Sequence, residues 1–169
     1  MVRTKLIEMT ANRMRRESAS GIPVDVRALI AHEALAIVVS AGGMPPRMRA
    51  CYEQERGRIR LRPGLPLDQE RFALAHELGH HALNHGSIVC YDTGLVGDSA
   101  PLDEMDVGID FESEANRFAG TLLIPRDACR EDMERGAKYP DIAQKYVVSL
   151  TATAIAIDQY EFRFAKRRH

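Results

Sequence analysis

An α+β fold is expected for this chain of 169 residues, with a small antiparallel sheet set between helical segments. Three observations predict it. Gly and Pro cluster at a few joints that divide the chain. The strand-like stretches, β-branched "LAIVVS" and strictly alternating "RIRLR", lie close together in the first half. Helical periodicity flanks them on both sides, and helices grouped around a short sheet make an α+β domain.

Taken in order, residues 4–17 and 25–34 read as two short helices, the second announced by Pro23 and Asp25 in "IPVD". Residues 35–40 read as a strand. After the "GGMPP" loop, "RACYEQ" and "RIRLR" flank "ERG" as a hairpin, with Ile59 and Leu61 on one face and Arg58, Arg60 and Arg62 on the other. Such a basic face is most simply a solvated one. Asp68 is placed to cap a helix whose stripe is Phe72, Ala75, Leu78, Gly79, Ala82 and Leu83, closing near Gly86. Residues 86–109, with Gly94, Gly97, Pro101 and Gly108, show no regular period and read as a long loop. A second long helix is expected over about 110–123, stopped by Pro125, followed by helices at 127–135, 140–146 and 151–160 and a basic tail "AKRRH".

With 45% hydrophobic and 28% charged side chains, the chain suits one domain over 1–169, comprising a core at 25–125 and a C-terminal helical part at 126–169. A net charge of −1 gives no global reason to expect nucleic acid or an anionic membrane as partner. The N-terminus is broken by charges and has no apolar core of a signal peptide, and no stretch approaches the roughly 18 apolar residues of a membrane span. Cys51, Cys90 and Cys129 are odd in number and in no CxxC spacing. They read as inert thiols in a reducing compartment, so a cytoplasmic location is expected.

The chemistry concentrates in "FALAHELGHHALNH", residues 72–85. His76-Glu77-Leu78-Gly79-His80 is an H-E-x-x-H on a predicted helix. Residues four apart are turned by only about 40°, so the imidazoles of His76 and His80 can meet on one metal ion. Glu77 lies beside them without sharing their line, which suits a general base acting on a water activated at the ion. Gly79 lets another segment approach the helix there. His81 and His85 are also four apart but lack the glutamate; His81 is assigned to packing or support, and His85 to the helix C-terminus, favoured by the macrodipole. His32 has no partner at metal spacing.

A metzincin would place Gly and His where Leu83 and Gly86 stand, so that class is excluded. A zincin-type core instead takes a carboxylate from a later helix. In "DFESEANRFAGTLLIP", Glu112 borders the apolar stripe Ala115, Phe118, Ala119 and Leu122, whereas Glu114 is turned about 160° away, toward solvent. Glu112 is therefore the expected third ligand, and Asn116, one turn on, the residue that orients a ligating imidazole.

Together "RFALAHELGHHALNH" and "ESEANRFAGTLLIP" resemble the ImmA/IrrE family of zinc peptidases. The resemblance implies a gluzincin-like core holding Zn2+ on His76, His80 and Glu112, with Glu77 as catalytic base. It also implies, as substrate, a helix-turn-helix repressor whose cleavage derepresses mobile-element or stress-response genes. Mn2+ is a possible substitute for zinc at such mixed nitrogen and oxygen ligands. Some members carry an N-terminal helix-turn-helix domain, for which there is no room here; any repressor is expected to be another chain.

The expected activity is peptide-bond hydrolysis by a metalloendopeptidase. Tyr91, His81 and Arg117 are candidates for stabilising the oxyanion. The alternative is a non-catalytic metal-binding regulatory protein that binds a repressor or other partner; the intact set of Glu77 and three ligands favours the enzyme. The helix pair in "YPDIAQKYVVSLTATAIAIDQYEF", with Ser149 capping its second helix, superficially resembles a helix-turn-helix. "TATAIAIDQY" offers little with which to read bases, so packing or substrate docking is expected and direct nucleic-acid binding is not. The span from Gly86 to Glu112 carries seven acids and no Lys or Arg, a rim that would attract the basic face of a DNA-binding substrate.

Overall fold

Two long helices crossing at a glycine organise the molecule. The computed structural model describes residues 2–17, 21–86 and 102–160, with side chains in the last stretch described from residue 110 on. Cys90, Tyr91, the basic tail and much of the acidic span lie outside the described residues or side chains.

Helix α1, Thr4–Glu17, buries Ile7, Thr10, Ala11 and Met14, an i, i+3, i+4, i+7 stripe. Helix α2, Val26–His32, starts where the Asp25 side chain accepts a hydrogen bond from the Ala28 N–H at 3.0 Å, satisfying one of the free donors of the first turn.

The sheet has the order β1-β3-β2, with β1 at Ala36–Val39, β2 at Ala50–Glu53 and β3 at Arg58–Leu61. β2 and β3 form the expected antiparallel hairpin, Tyr52 opposite Ile59, joined by a 3₁₀ turn that closes on Gly57 at φ 55°. The expectation of a wholly antiparallel sheet is corrected. β1 pairs parallel to β3, Ala36 opposite Arg58 and Val39 opposite Leu61. Residues 40–49 carry the chain from one side of β3 to the other, a crossover that strand periodicity does not encode. The arginine face of β3 holds this arrangement together. Arg58 and Arg60 both pair with Glu53, Arg60 also donates to the Gly42 carbonyl, and Arg62 donates to the carbonyls of Met48 (2.7 Å) and Pro45. Ile59 and Leu61 are buried on the opposite face, as the alternation predicts.

Helix α3, Leu67–Ala82, lies against β2 and β3 on one side and against helix α4, Leu102–Leu123, on the other. Packed from both sides, it buries Ala73, Leu74, Ala75 and then Glu77 through His80, more of its circumference than one stripe. Asp68 is not its cap: Pro66 takes that position, and Asp68 and Glu70 occupy the first turn, where their charges suit the helix dipole. At the crossing, a Cβ on Gly79 would stand 3.0 Å from Phe118 Cδ1 and 3.3 Å from the Ala115 Cα, so a side chain there would oblige α4 or the Phe118 ring to give way by a few tenths of an ångström.

Helix α4 begins at Leu102, well before the expected 110, so the end of the predicted loop is helical. Its glycine at 108 misled the reading, since an isolated Gly weakens a helix by only about 1 kcal/mol. Helices α5 (Arg126–Glu134), α6 (Tyr139–Tyr146) and α7 (Leu150–Tyr160) follow within a residue of expectation. Ser149 Oγ accepts from the Ala152 N–H at 3.1 Å and caps α7. Arg71 on α3 donates to the carbonyl of Val147 at 3.1 Å, tying the end of α6 to the central helix. α7 packs back on α4, and the Tyr160 hydroxyl donates to the Ile124 carbonyl. Among the described residues, no helix is long and apolar enough to cross a membrane.

Candidate metal centre

The one-turn spacing of His76 and His80 brings their Nε2 atoms to 3.0 Å from each other. Glu112, carried in by α4, places Oε2 3.1 Å from His76 Nε2 and Oε1 3.3 Å from His80 Nε2. One ligand atom from each of the three lies within 4.8 Å of the others. Burial pushes the Glu112 carboxyl up, but hydrogen bonds to the two imidazoles outweigh it and hold the group at about 2. His76, whose own burial acts downward, is raised on balance by Glu112 and Glu77.

This donor set suits a divalent ion. Two imidazole nitrogens and a carboxylate oxygen point at one place, and the remaining ring nitrogens are engaged elsewhere. His76 Nδ1 lies 3.0 Å from Asn116 Oδ1, so the amide oxygen accepts the Nδ1–H and leaves Nε2 with its lone pair. His80 Nδ1 lies 3.0 Å from His85 Nδ1. The cluster could therefore hold Zn2+, or another divalent metal that accepts mixed nitrogen and oxygen ligands.

Glu77, only 4% exposed, sits beside the cluster with Oε2 accepting the Tyr52 N–H at 2.7 Å. The edge strand of the sheet thus fixes the carboxylate. His81 faces the sheet, with Nδ1 2.8 Å from the Tyr52 hydroxyl and Nε2 3.5 Å from Glu33. Arg117 stands about 140° around α4 from Glu112. His32 lies exposed beside its neighbour Glu33.

One expectation is corrected here. Glu114 does not face solvent: it is 2% exposed, accepts the Arg3 backbone N–H at 2.8 Å, and pairs with the Arg3 guanidinium at 2.6 Å. Helix α1 covers that face of α4, which helical periodicity alone cannot reveal. The Arg3 hydrogen bonds hold the Glu114 carboxyl at about 2. His85 follows the carboxyl end of α3, as expected, but turns inward. Its side chain is fully buried, stacks on Phe111 at 4.4 Å, and places Nε2 3.0 Å from Glu114 Oε2.

The end of α3 explains His85. Asn84 adopts φ 55°, and the N–H groups of Asn84 and His85 bond back to the carbonyls of His81 and His80. This is a Schellman ending, whose geometry folds the second residue past the cap onto the third-last helical residue. That pair is His85 and His80. The signal was present in the sequence as Asn84-His85, since Asn is a tolerated left-handed residue at that position.

A cleft of about 660 Å³ runs from the N-terminal half of α3 to α7. Asn116 lines it together with Arg49, Phe72, Ser113, Ala152 and Ile155, so the cleft adjoins the cluster on the side of His76. Ile155, more than half exposed, offers an apolar contact on its far wall. Cys129 is remote and buried, its thiol pushed up to about 11 by burial, in keeping with an inert role.

Comparison with known proteins adds two findings. The family model Peptidase_M78, described as the IrrE N-terminal-like domain, matches residues 33–158. A solved structure of a Mycobacterium tuberculosis transcriptional regulator is similar in fold, with a TM-score of 0.65 at 20% identity, over 87% of this chain and 44% of that one. The chain therefore spans less than half the length of that protein. No curated protein sequence matches.

Proposed function

The chain belongs to the Peptidase_M78 family, the IrrE N-terminal-like domain, and from that membership we propose that it is a cytoplasmic zinc-dependent endopeptidase that cleaves a helix-turn-helix transcriptional repressor. The observation that carries the peptidase reading is the convergence of His76, His80 and Glu112 with the buried, strand-anchored Glu77 beside them.

In this reading His76, His80 and Glu112 hold the ion, Mn2+ being able to replace Zn2+, and Asn116 keeps His76 in the ligating tautomer. When bound, the metal supplies a Lewis acid that polarises the scissile carbonyl and makes water acidic enough to attack near neutral pH. Glu77 accepts the proton of the attacking water and delivers it to the nitrogen of the leaving amine, so the C–N bond breaks to give a carboxylic acid and an amine, which exchange the acid's proton to become carboxylate and ammonium. Its anchorage on the Tyr52 N–H keeps the carboxylate aimed, which saves reorganisation during proton transfer. The cleft beside His76 receives the substrate segment, with Phe72 and Ile155 as apolar contacts. A helix-turn-helix substrate follows from the family resemblance of the two quoted motifs.

The test is incubation of the purified chain with the helix-turn-helix protein encoded nearest its gene, with zinc and with chelator, followed by mass analysis. One zinc-dependent cut supports the proposal. Stable complex formation without any cut points instead to a non-catalytic regulator.

A further inference from the structure

His80 carries a chain of polar contacts that the peptidase chemistry does not use. Its Nδ1 meets His85 Nδ1 at 3.0 Å, His85 Nε2 meets Glu114 Oε2 at 3.0 Å, and Arg3 Nη2 donates to the same oxygen at 2.6 Å. His80, the His85 ring and Glu114 are all buried. Arg3 lies outside the matched residues 33–158 and reaches Glu114 and His85 from just ahead of α1.

Hydrogen-bond bookkeeping permits only one useful arrangement. Of two facing Nδ1 atoms one must donate and the other accept. For His80 to bind an ion through Nε2, its proton must sit on Nδ1, so His85 Nδ1 is the acceptor and the His85 proton sits on Nε2. That proton then needs an acceptor, and Glu114 is it. The opposite arrangement, with His85 Nε2 accepting from Arg3 Nη2 at 3.1 Å, would place the His85 proton on Nδ1 and oblige His80 Nδ1 to accept. The His80 proton would then sit on Nε2, where it blocks the ligand position. Arg3 therefore matters through Glu114: its short contacts keep the carboxylate in place to take the His85 proton.

We propose that His85, Glu114 and Arg3 are positioning residues that lock His80 in its metal-ligating tautomer, coupling the start of α1 to metal affinity. This rests on the reading that His76, His80 and Glu112 hold the metal. It concerns metal affinity, separately from the hydrolytic step.

The test uses the full chain loaded with zinc. Nitrogen-resolved NMR of isotope-labelled histidine is expected to find the His80 proton on Nδ1 and the His85 proton on Nε2. Zinc affinity, measured by competition with a chelating indicator, should fall about 10–100-fold in His85→Leu, as for other losses of a ligand's orienting partner. His85→Gln, whose amide oxygen can accept the Nδ1–H, should recover most of that loss; a role limited to packing favours Leu over Gln. A His85 proton on Nδ1 in the zinc-loaded wild type, or a Leu variant that binds zinc as tightly as wild type, overturns the inference. The wild-type spectrum decides even if the Leu variant does not fold. Failure of the wild type to bind zinc overturns the metal reading as well, whereas zinc binding with the opposite tautomer overturns only this one.

Discussion

The backbone N–H of Tyr52 donates to Glu77 Oε2 at 2.7 Å, so an edge strand helps to orient the carboxylate beside the cluster of His76, His80 and Glu112. A glutamine at this position keeps an oxygen for that N–H but cannot take up a proton. Glu77→Gln is therefore expected to retain zinc and thermal stability while losing cleavage by about 10²–10⁴-fold. Wild-type proteolysis by this variant would remove Glu77 from the chemistry.

Zinc content should be about one per chain, given one cluster of two imidazoles and a carboxylate among the described residues. His80→Ala and Glu112→Ala each delete one ligand and should lower occupancy after dialysis against a weak chelator, as read by elemental analysis. Undiminished zinc in Glu112→Ala would require a different third ligand. Glu114 is a poor substitute, since it is committed to Arg3 and His85.

Gly79→Ala should destabilise the protein. The new methyl would meet the Ala115 backbone at 3.3 Å and the Phe118 ring at 3.0 Å, and such overpacking costs about 1–3 kcal/mol. The gain in helix propensity is only about 0.5–1 kcal/mol. A lower denaturant midpoint is expected, together with weaker zinc binding, because separating α3 from α4 moves Glu112 away from the histidines. A midpoint at or above wild type would show that the crossing has slack.

Asp132 supplies a pH-dependent part of the stability. Burial pushes its carboxyl up, but hydrogen bonds from Lys145 (2.6 Å) and the Tyr146 hydroxyl (2.8 Å) prevail and hold it below the ordinary aspartate value. A carboxyl lowered on folding stabilises the protein fully above its unfolded pKa of about 4, and the contribution fades as pH falls through the folded value. Asp132→Asn should thus lose about 1.5–3 kcal/mol near neutral pH, the range for hydrogen bonds to a charged group. Its deficit should shrink in acid below about pH 4. A deficit that stays constant down to pH 2 would assign the loss to packing alone.

What was legible without the fold is what a single segment decides by its own geometry. The His76–His80 pair follows from the helical repeat, the Ile59 and Leu61 face from strand alternation, the caps at Asp25 and Ser149 from side chains that reach their own backbone, and the stop at Leu123 from the following proline. Even the return of His85 onto His80 is local, a consequence of Asn84 in the left-handed region. Partners brought from far along the chain were not legible. β1 lies parallel to β3 because residues 40–49 cross over, Glu114 is buried because α1 arrives from 111 residues away, and α3 is covered on two sides because the sheet and α4 both seek its apolar surface. Periodicity specifies which side chains share a face of a helix. Which segment covers that face depends on the packing of all the others, and that packing turned a predicted solvent glutamate into the buried partner of Arg3 and His85.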